Sequence, residues 1–434
     1  MILVEERAQV GGDIPYAMLN MFDVPLQNSR ATGEAANGIF GEFYQKLGVA
    51  FDIDRAVALF DRKLGQSRGL RVLRGTRVER LISEAGRLSG ARLKRSTGQE
   101  ETVMAPAIVD ASDDAEFAAR AGAGYYIGRE NANPDRKMQA AGLLFSVTGV
   151  DWADVQRYIR RTKSIPLRQL RRSKRGQEGA IDVKVRGHRA IFRLGGGSGN
   201  YAYEFGEIIK PYQPRGRNIE LLSLNMGRQS DGSVVLNTLN ILGVDGLSAA
   251  SKTGGRAEAT QEIPFLIEYL RGAMPGFERA RLAQIAPELY IRETRHIHGF
   301  YALKVEDVRQ DRAFFDRIAR CSYALDLHPY QKGDINPFGP ERFEYTLPLR
   351  AIVPRKIDGV FVASRSLSAT YSAAGSVRVI PITMAAGEAA GTAAALCAKT
   401  GISPHELVND NARISQLQGL LRASGLDIGD ELVK

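Results

Sequence analysis

The stretch MILVEERAQVGGD, residues 1–13, constrains the fold more than any other. Ile2, Leu3 and Val4 read as the end of a buried strand that runs straight into Glu5, and the paired glycines Gly11 and Gly12 follow six residues on. In a dinucleotide-binding βαβ unit an acidic residue ends the second strand, where its carboxylate takes both hydroxyls of a ribose. The partners of that strand would be a first strand and a G-x-G-x-x-G turn that sets a pyrophosphate on a helix N-terminus. No such turn precedes Glu5. We expect that this fingerprint was lost, with Met1 lying inside the second strand, and that about thirty residues would complete the unit. A parallel sheet without its central strand exposes edges and apolar surface that such folds bury, so the chain alone is expected to hold a nucleotide poorly.

A chain of 434 residues has material for two domains or more. Cys321 and Cys397 are the only cysteines and stand far apart, which argues against a disulfide framework or a zinc site and for a reducing, cytoplasmic setting. The apolar start is cut short by Glu5, Glu6 and Arg7, and no continuous apolar run of membrane length follows, so neither an export signal nor a membrane span is expected. The formal charge of +10 is concentrated between Arg157 and Arg175, where Arg160, Arg161, Lys163, Arg168, Arg171, Arg172 and Lys174 gather around Pro166. Without interleaved aromatics or a nucleic-acid motif, this reads as a solvated insertion first and a site for an acidic substrate or partner second.

Along the chain, Phe51–Leu64 has helical apolar spacing. Three strand-like runs follow, Leu70–Leu73, Arg77–Ile82 and Gly90–Lys94, and imply a small β-meander. Ala107–Ala111 reads as a buried strand ending at a ligand-facing loop, with a helix at Ala115–Ala121. From Asn131 to Tyr345 the texture changes: Gly142–Val147, Ile191–Leu194, Ile219–Leu224 and Ser233–Leu242 suggest an antiparallel sheet, with helices at Ala257–Met274 and Asp311–Arg320. Val360–Ala363 is another buried strand, and Gly375–Ala398 a small-residue-rich helix in which Gly387 and Gly391 permit close packing. Both chain ends therefore contribute to one nucleotide-binding domain.

Four stretches carry a resemblance: ILVEERAQVGG, IVDASDDAEFAARAGAGYYIGRE, RETRHIHGFYALKVEDV and VASRSLSATYSAAGSVRVIPITMAAGEAAGTAAAL. In their order and spacing the chain resembles the FAD-dependent oxidoreductases, a branch of the glutathione-reductase-like FAD fold. The resemblance implies an α/β protein with a three-layer Rossmann-like FAD-binding domain, residues 1–130 and 346–434, and an inserted, mainly antiparallel β substrate domain, residues 131–345. It implies FAD as cofactor and hydride transfer from a small organic substrate to the flavin. A flavin monooxygenase and a non-redox binding or assembly protein on the same fold are the alternatives. Residue by residue, Glu5 matches the ribose-binding acid, with Arg7 beside it and Gly11-Gly12 after it, and the backbone of Val78 matches the adenine contact. Ala111-Ser112-Asp113 stands where the family has Ala-Thr-Gly, and Ala363-Ser364-Arg365 where it has Ala-Gly-Arg. Gly375, Ser376, Val377 and Arg378 then open the long helix, whose free N–H groups would face the flavin N1 and C2 carbonyl.

Two further glycine runs, Gly122–Gly128 and Gly195–Gly199, do not replace the missing turn: the first follows a helix, and the second suits a hairpin. For substrate chemistry the densest cluster is Arg292 to Tyr301. If that stretch is extended, Arg292, Thr294, His296 and His298 share one face and Glu293, Arg295 and Ile297 the other. His298 or Tyr301 would remove a proton as hydride leaves, with Arg292 and Arg295 as nearby cations. The stretch reads equally as a charged strand held by ordinary salt bridges. No third ligand completes a metal site with His296 and His298. The expected partner is a small, anionic substrate bound between the domains, and a homo-oligomer is compatible with the pattern.

Overall fold

The computed structural model describes residues 1–24, 37–162, 180–185, 188–193, 201–202, 205–339 and 341–433. The basic segment from Lys163 to Lys174 and the glycine run Gly195–Gly199 lie outside the described residues.

The protein is mixed α/β, with several separate sheets. Strand Ile2–Val4 pairs in parallel with Arg71–Leu73, and Ile108–Asp110 pairs in parallel with Val360–Val362. Helix Ile53–Gln66 fills the first connection, its N-terminus capped by the Asp52 carboxylate on the Arg55 amide. The expected meander is corrected in one strand. Leu70–Leu73 leaves it to flank the first strand, and the third member is Glu100–Met104, beside Thr76–Glu84 and Arg87–Arg95. Alternation in E-E-T-V-M is hidden because the strand lies at a sheet edge and exposes every second residue.

The middle of the chain forms a five-stranded antiparallel sheet in the order Tyr201–Ala202, Ile219–Arg228, Val234–Ile241, Ala141–Thr148, Arg281–Ile285. The expected Ile191–Leu194 strand belongs elsewhere, in a separate hairpin of His188–Arg193 with Ala180–Val185. Ala141–Thr148 is buried on both faces, and Leu143, Phe145 and Val147 pack with Leu236, Ile263 and Leu266 in one core. The covering helix begins earlier than its apolar spacing suggested, at Ala249, because Ser248 caps it through the Ser251 amide. The expected helix Asp311–Arg320 is not formed. Arg317–Ala324 is a strand against Arg342–Pro348, with Ile318, Ala319 and Cys321 buried by that pairing.

The long C-terminal helix is also corrected, to a short helix Tyr371–Val377 and a second one, Ile380–Thr400. Pro381 explains the break: in a continuous helix it could not donate to the carbonyl of Val377 and its ring would strike it. Among the described residues Ile380–Thr400 is the one helix long and apolar enough to cross a membrane by length and composition. It packs as a core helix, with Ala386, Ala389, Ala390 and Ala393 fully buried beside Phe361, Leu349 and Leu417. Those alanines, not glycines, make the close packing: no atom lies within 4 Å of where a Cβ would stand at Gly387 or Gly391.

Candidate functional site

The parallel strand ends build the first group of polar residues. Asp110, fully buried, accepts from the Ser112 amide and hydroxyl and from the Ala118 amide, and so turns the chain out of its strand. Asp113 and Asp114 then stand at the strand end. From the neighbouring strand, the Ala363 amide bonds the Asp110 carbonyl, and the Ser366 hydroxyl bonds the Asp113 carbonyl. Arg365, with its side chain 10% exposed, projects between them: Nη2 lies 2.8 Å from Asp114, and Nη1 lies 3.6 Å from Asp113 and 3.8 Å from Asp13. Asp13 arrives from the first strand through Gly11 and Gly12, whose φ values of 114° and 55° suit glycine. Thr294 and Arg295 complete the group, donating to the Asp114 carboxylate at 2.7 Å and its carbonyl at 2.9 Å.

Two sequence-distant stretches therefore meet Arg365 directly, and a third joins them through Asp114. Burial, with Asp113 next, pushes Asp13 up to about 7. Burial acts the same way on Asp114, but Arg365 and Thr294 prevail and hold it below the usual carboxylate range. The two departures from the Ala-Thr-Gly and Ala-Gly-Arg patterns need no unusual backbone. The positive φ in this loop falls on Ala115, at 48°, rather than on Asp113 or Ser364.

The other expected cofactor residues are placed as follows. Glu5 accepts through Oε1 from the Arg7 amide at 2.9 Å and from Arg7 Nε at 3.3 Å. Arg7 continues to Glu288 at 3.0 Å and lies 4.4 Å over the Tyr16 ring. Val78 sits within a strand, and its carbonyl accepts from Arg120 at 3.3 Å. Gly375, Ser376 and Val377 lie inside the short helix rather than at a helix start, and the Arg378 amide is already bonded to the Ala374 carbonyl. Gly375 serves close approach instead: a Cβ there would stand 2.9 Å from Leu327 and 3.0 Å from the Asp326 carbonyl.

Arg378 opens a second group. Its side chain is 3% exposed, and it donates to Tyr290 Oη at 3.2 Å, the Asp326 carbonyl at 3.1 Å and the Asp326 carboxylate at 2.9 Å. Arg292, 4% exposed, lies 4.7 Å from the centre of the same Tyr290 ring and donates to the Ala140 carbonyl at 2.7 Å. His328 stands 3.6 Å from Asp326 through Nε2 and 3.1 Å from Asn240 Oδ1 through Nδ1. Asp23 lies within electrostatic reach of Arg378, Asp326 and Tyr323, and burial raises it to about 6. Burial, then Arg292, lowers His328 to about 4, and burial brings Arg292 down to about 10. Against burial, His328 and Arg378 hold Asp326 well below the usual carboxylate range. The group is open on one side, since 39% of the Asp326 side chain and 20% of that of His328 remain exposed.

The Arg292–Tyr301 cluster is thus divided, and the expected alternation is corrected. Only Arg295–Ile297 is a strand, and the buried Glu293 bonds His296 Nε2 at 2.9 Å, joining two residues assigned to opposite faces. His298 is exposed, edge-on to Tyr126 with ring centres 4.3 Å apart. Tyr301 donates to Asp307 at 2.7 Å and packs on Phe314. None of their hydrogen bonds among the described residues reaches Arg365, Tyr290 or Arg378. Sequence reasoning missed Asp13, Asp23, Asp114, Tyr290, Asp326 and His328. The D-L-H spacing of Asp326 and His328 was a usable signal; a single aspartate such as Asp23 offers none.

Among solved structures, a geranylgeranyl bacteriochlorophyll reductase-like protein from Thermoplasma acidophilum is 9% identical, with 86% of this chain and 59% of that chain covered, at a TM-score of 0.35. The flavin-dependent halogenase CmlS is 10% identical (86% and 43% covered, TM-score 0.35), and a triple mutant of the flavin-dependent brominase Bmp2 is 12% identical (85% and 59%, TM-score 0.35). The chain thus spans at most 59% of these three solved chains. No curated protein matches. The pattern of the family described as FAD dependent oxidoreductase matches residues 1–421. The chain belongs to the FAD-dependent oxidoreductase family, enzymes whose cofactor is FAD.

Proposed function

We propose that residues 1–130 and 346–434 form a three-layer FAD-binding unit, that residues 131–345 form an inserted substrate domain, and that hydride passes from a small anionic organic substrate to the flavin where they meet. The observation that carries this reading is the sharing of Tyr290. Arg378, from the expected flavin stretch, bonds its hydroxyl, and Arg292, from the expected substrate stretch, lies over its ring.

FAD suits the residues at the strand ends. Among the described residues, Arg365 and Arg295 each keep a buried Nε without an acceptor. Arg7 engages only Oε1 of Glu5, which leaves Oε2 for a ribose hydroxyl. Where a side chain would stand at Gly12, the nearest atom is 3.9 Å away. When bound, FAD supplies the two-electron acceptor for hydride. Arg378 and Arg292 hold and orient the anionic substrate, their own Nε donors being buried and without an acceptor among the described residues. His328 takes the proton that the substrate heteroatom gives up. Its Nδ1 proton is directed to Asn240, which leaves the Nε2 lone pair free, and Asp326 stabilises the imidazolium that forms.

The test is anaerobic flavin reduction by a panel of small hydroxy and amino acids. His328→Gln should keep its flavin and slow reduction by roughly 10²–10⁴-fold. An unchanged rate removes His328 from this role. Oxygen consumption that requires NADPH and places oxygen in the product overturns the reading in favour of a monooxygenase, and a protein that stays colourless in excess FAD overturns it in favour of a binding module.

A further inference from the structure

Gln139 and Ala140 run directly into the strand Ala141–Thr148 and are gripped from both sides. On one side stand Arg292 and Glu293. Arg292 Nη1 donates to the Ala140 carbonyl at 2.7 Å, and the Gln139 amide donates to Glu293 Oε2 at 2.9 Å. The other oxygen of Glu293 bonds His296 Nε2 at 2.9 Å, so this buried carboxylate is engaged through both oxygens. On the other side stand His328 and Pro329. The His328 amide donates to Gln139 Oε1 at 3.0 Å, and the Ala140 amide donates to the Pro329 carbonyl at 2.8 Å. His328 is thereby tied on either side of its Cα, and the proline that follows restricts its backbone to extended angles.

The ring is held from the neighbouring strand. His328 Nδ1 donates to Asn240 Oδ1 at 3.1 Å, and Asn240 lies in Val234–Ile241, directly opposite Gly142 in the ladder. Gln139 stands three residues before that Gly142 on the same run of chain. The grip on the backbone and the grip on the ring therefore come from adjacent strands in one fixed register. Only the two side-chain torsions of His328 are then left to set, and the bond to Asn240 decides which ring nitrogen carries the proton. We propose that Gln139 is a positioning residue: its side-chain carbonyl holds the His328 backbone where Nδ1 donates to Asn240 and Nε2 keeps a free lone pair, with the Glu293–His296 pair as the anchor behind it. This rests on the reading of His328 as proton acceptor given above. Gln139 suits the task because it is buried, so no bulk water competes for its carbonyl oxygen. The buried part of the Arg292–Tyr301 stretch thereby gains a role in orienting the base, in place of removing the proton itself. A base displaced by about 1 Å can lose about 10²-fold in rate, which is the scale on which this hold matters.

The experiment reads the ring and the amide directly, by magnetic resonance of the full chain with and without added FAD. The sequence has 5 histidines, so labelling histidine alone with heavy nitrogen gives few enough signals to assign, and the set lost in His328→Gln identifies that residue. At pH 8, above the usual imidazole range, His328 should carry its proton on Nδ1, and its amide should exchange with solvent about tenfold or more slower than an unbonded amide. Gln139→Met keeps the volume and removes the acceptor: the ring should become a mixture of both tautomers, the amide should lose its protection, and flavin reduction should slow by roughly 10–10²-fold. Gln139→Glu keeps an acceptor oxygen and should retain the tautomer, the protection and most of the rate. The inference is overturned if the His328 amide of the unaltered chain is unprotected, if Gln139→Met keeps the Nδ1 proton or the unaltered rate, or if Gln139→Glu loses the tautomer. Where Gln139→Met does not fold, the unaltered chain and Gln139→Glu decide. A tautomer that shifts in Gln139→Met, beside a His328→Gln that reduces its flavin at the unaltered rate, upholds the hold on the ring and refutes His328 as the base. A slow His328→Gln beside an unshifted Gln139→Met does the reverse.

Discussion

Replacing Arg365 with alanine tests the convergence of the chain on one buried cation. The guanidinium makes one direct charge-assisted bond, 2.8 Å to Asp114, and longer contacts of 3.6 and 3.8 Å to Asp113 and Asp13. The direct bond contributes about 1.5–3 kcal/mol. Of the longer contacts, Asp113 is exposed enough for solvent to screen it and Asp13 makes no hydrogen bond to Arg365, so they add about 0–1 kcal/mol together. Asp114 keeps its bond from Thr294, which places the loss below the ~3–5 kcal/mol typical of a wholly orphaned buried charge. About 3 kcal/mol is therefore expected at pH 8. The deficit should shrink on acidification from both sides. In the unaltered chain Asp114 is held low, so its contribution is present above about pH 4 and disappears as pH falls through its folded value. In the variant the three aspartates repel one another without a counter-charge, are raised, and recover stability when protonated. Urea denaturation at pH 8 and pH 5, at one fixed FAD concentration because bound ligand shifts the midpoint, measures the variant's term, and a further measurement at pH 3 reads the loss of the Asp114 term. A loss under about 1 kcal/mol at pH 8, or an equal loss at all three pH values, would refute the reasoning.

Three further outcomes are expected. Asp13→Asn should stabilise the protein at pH 8 by about 1 kcal/mol and leave it unchanged near pH 4: a carboxyl pushed up to about 7 costs stability progressively as pH rises from its unfolded value, and denaturation across that range reads the difference. Glu293→Gln keeps the shape but replaces an acceptor of the bonds from His296 and the Gln139 amide, so a loss of about 1–3 kcal/mol is expected in the same assay. Gly375→Ala should cost about 1–3 kcal/mol in the same assay, since its Cβ meets Leu327 at 2.9 Å and the Asp326 backbone at 3.0 Å.

Sequence patterns resolved the elements whose apolar residues repeat on one period, such as Ile53–Gln66, Val360–Val362 and Val234–Ile241. They failed where another term outweighs periodicity. Phe314 and Ile318 are four apart and look helical, yet both are buried around a strand, because cross-strand pairing with Arg342–Pro348 decides the local state. The small-residue run Gly375–Ala398 reads as one helix by composition, and one proline divides it. The site was legible in part for a different reason. Residues in motifs, such as Arg365 and Arg378, declare themselves by order and spacing. Their partners Asp13, Asp114 and Tyr290 are ordinary residues that become polar neighbours only when distant stretches of the chain meet, and no local window contains that information.

The two departures from the motif pattern are best understood together. An aspartate in place of a glycine near a phosphate-binding turn should be unfavourable, and a serine in place of the glycine before Arg365 adds a hydroxyl to a buried turn. In the folded chain each has a partner on the other's loop or its own. Asp113 faces Arg365 at 3.6 Å, the Ser364 hydroxyl accepts from the Ser366 amide at 3.2 Å, and the Ser366 hydroxyl closes the ring on the Asp113 carbonyl at 2.8 Å. The strand Ile108–Asp110 and the strand Val360–Val362 are in parallel register, which is what brings these loops together at the same sheet end. A change on one loop is therefore buffered by the other, and substitutions at Asp113 and Ser366 should couple rather than add. Sequence distance hides this, because the two loops are neighbours only through a sheet register that neither loop encodes.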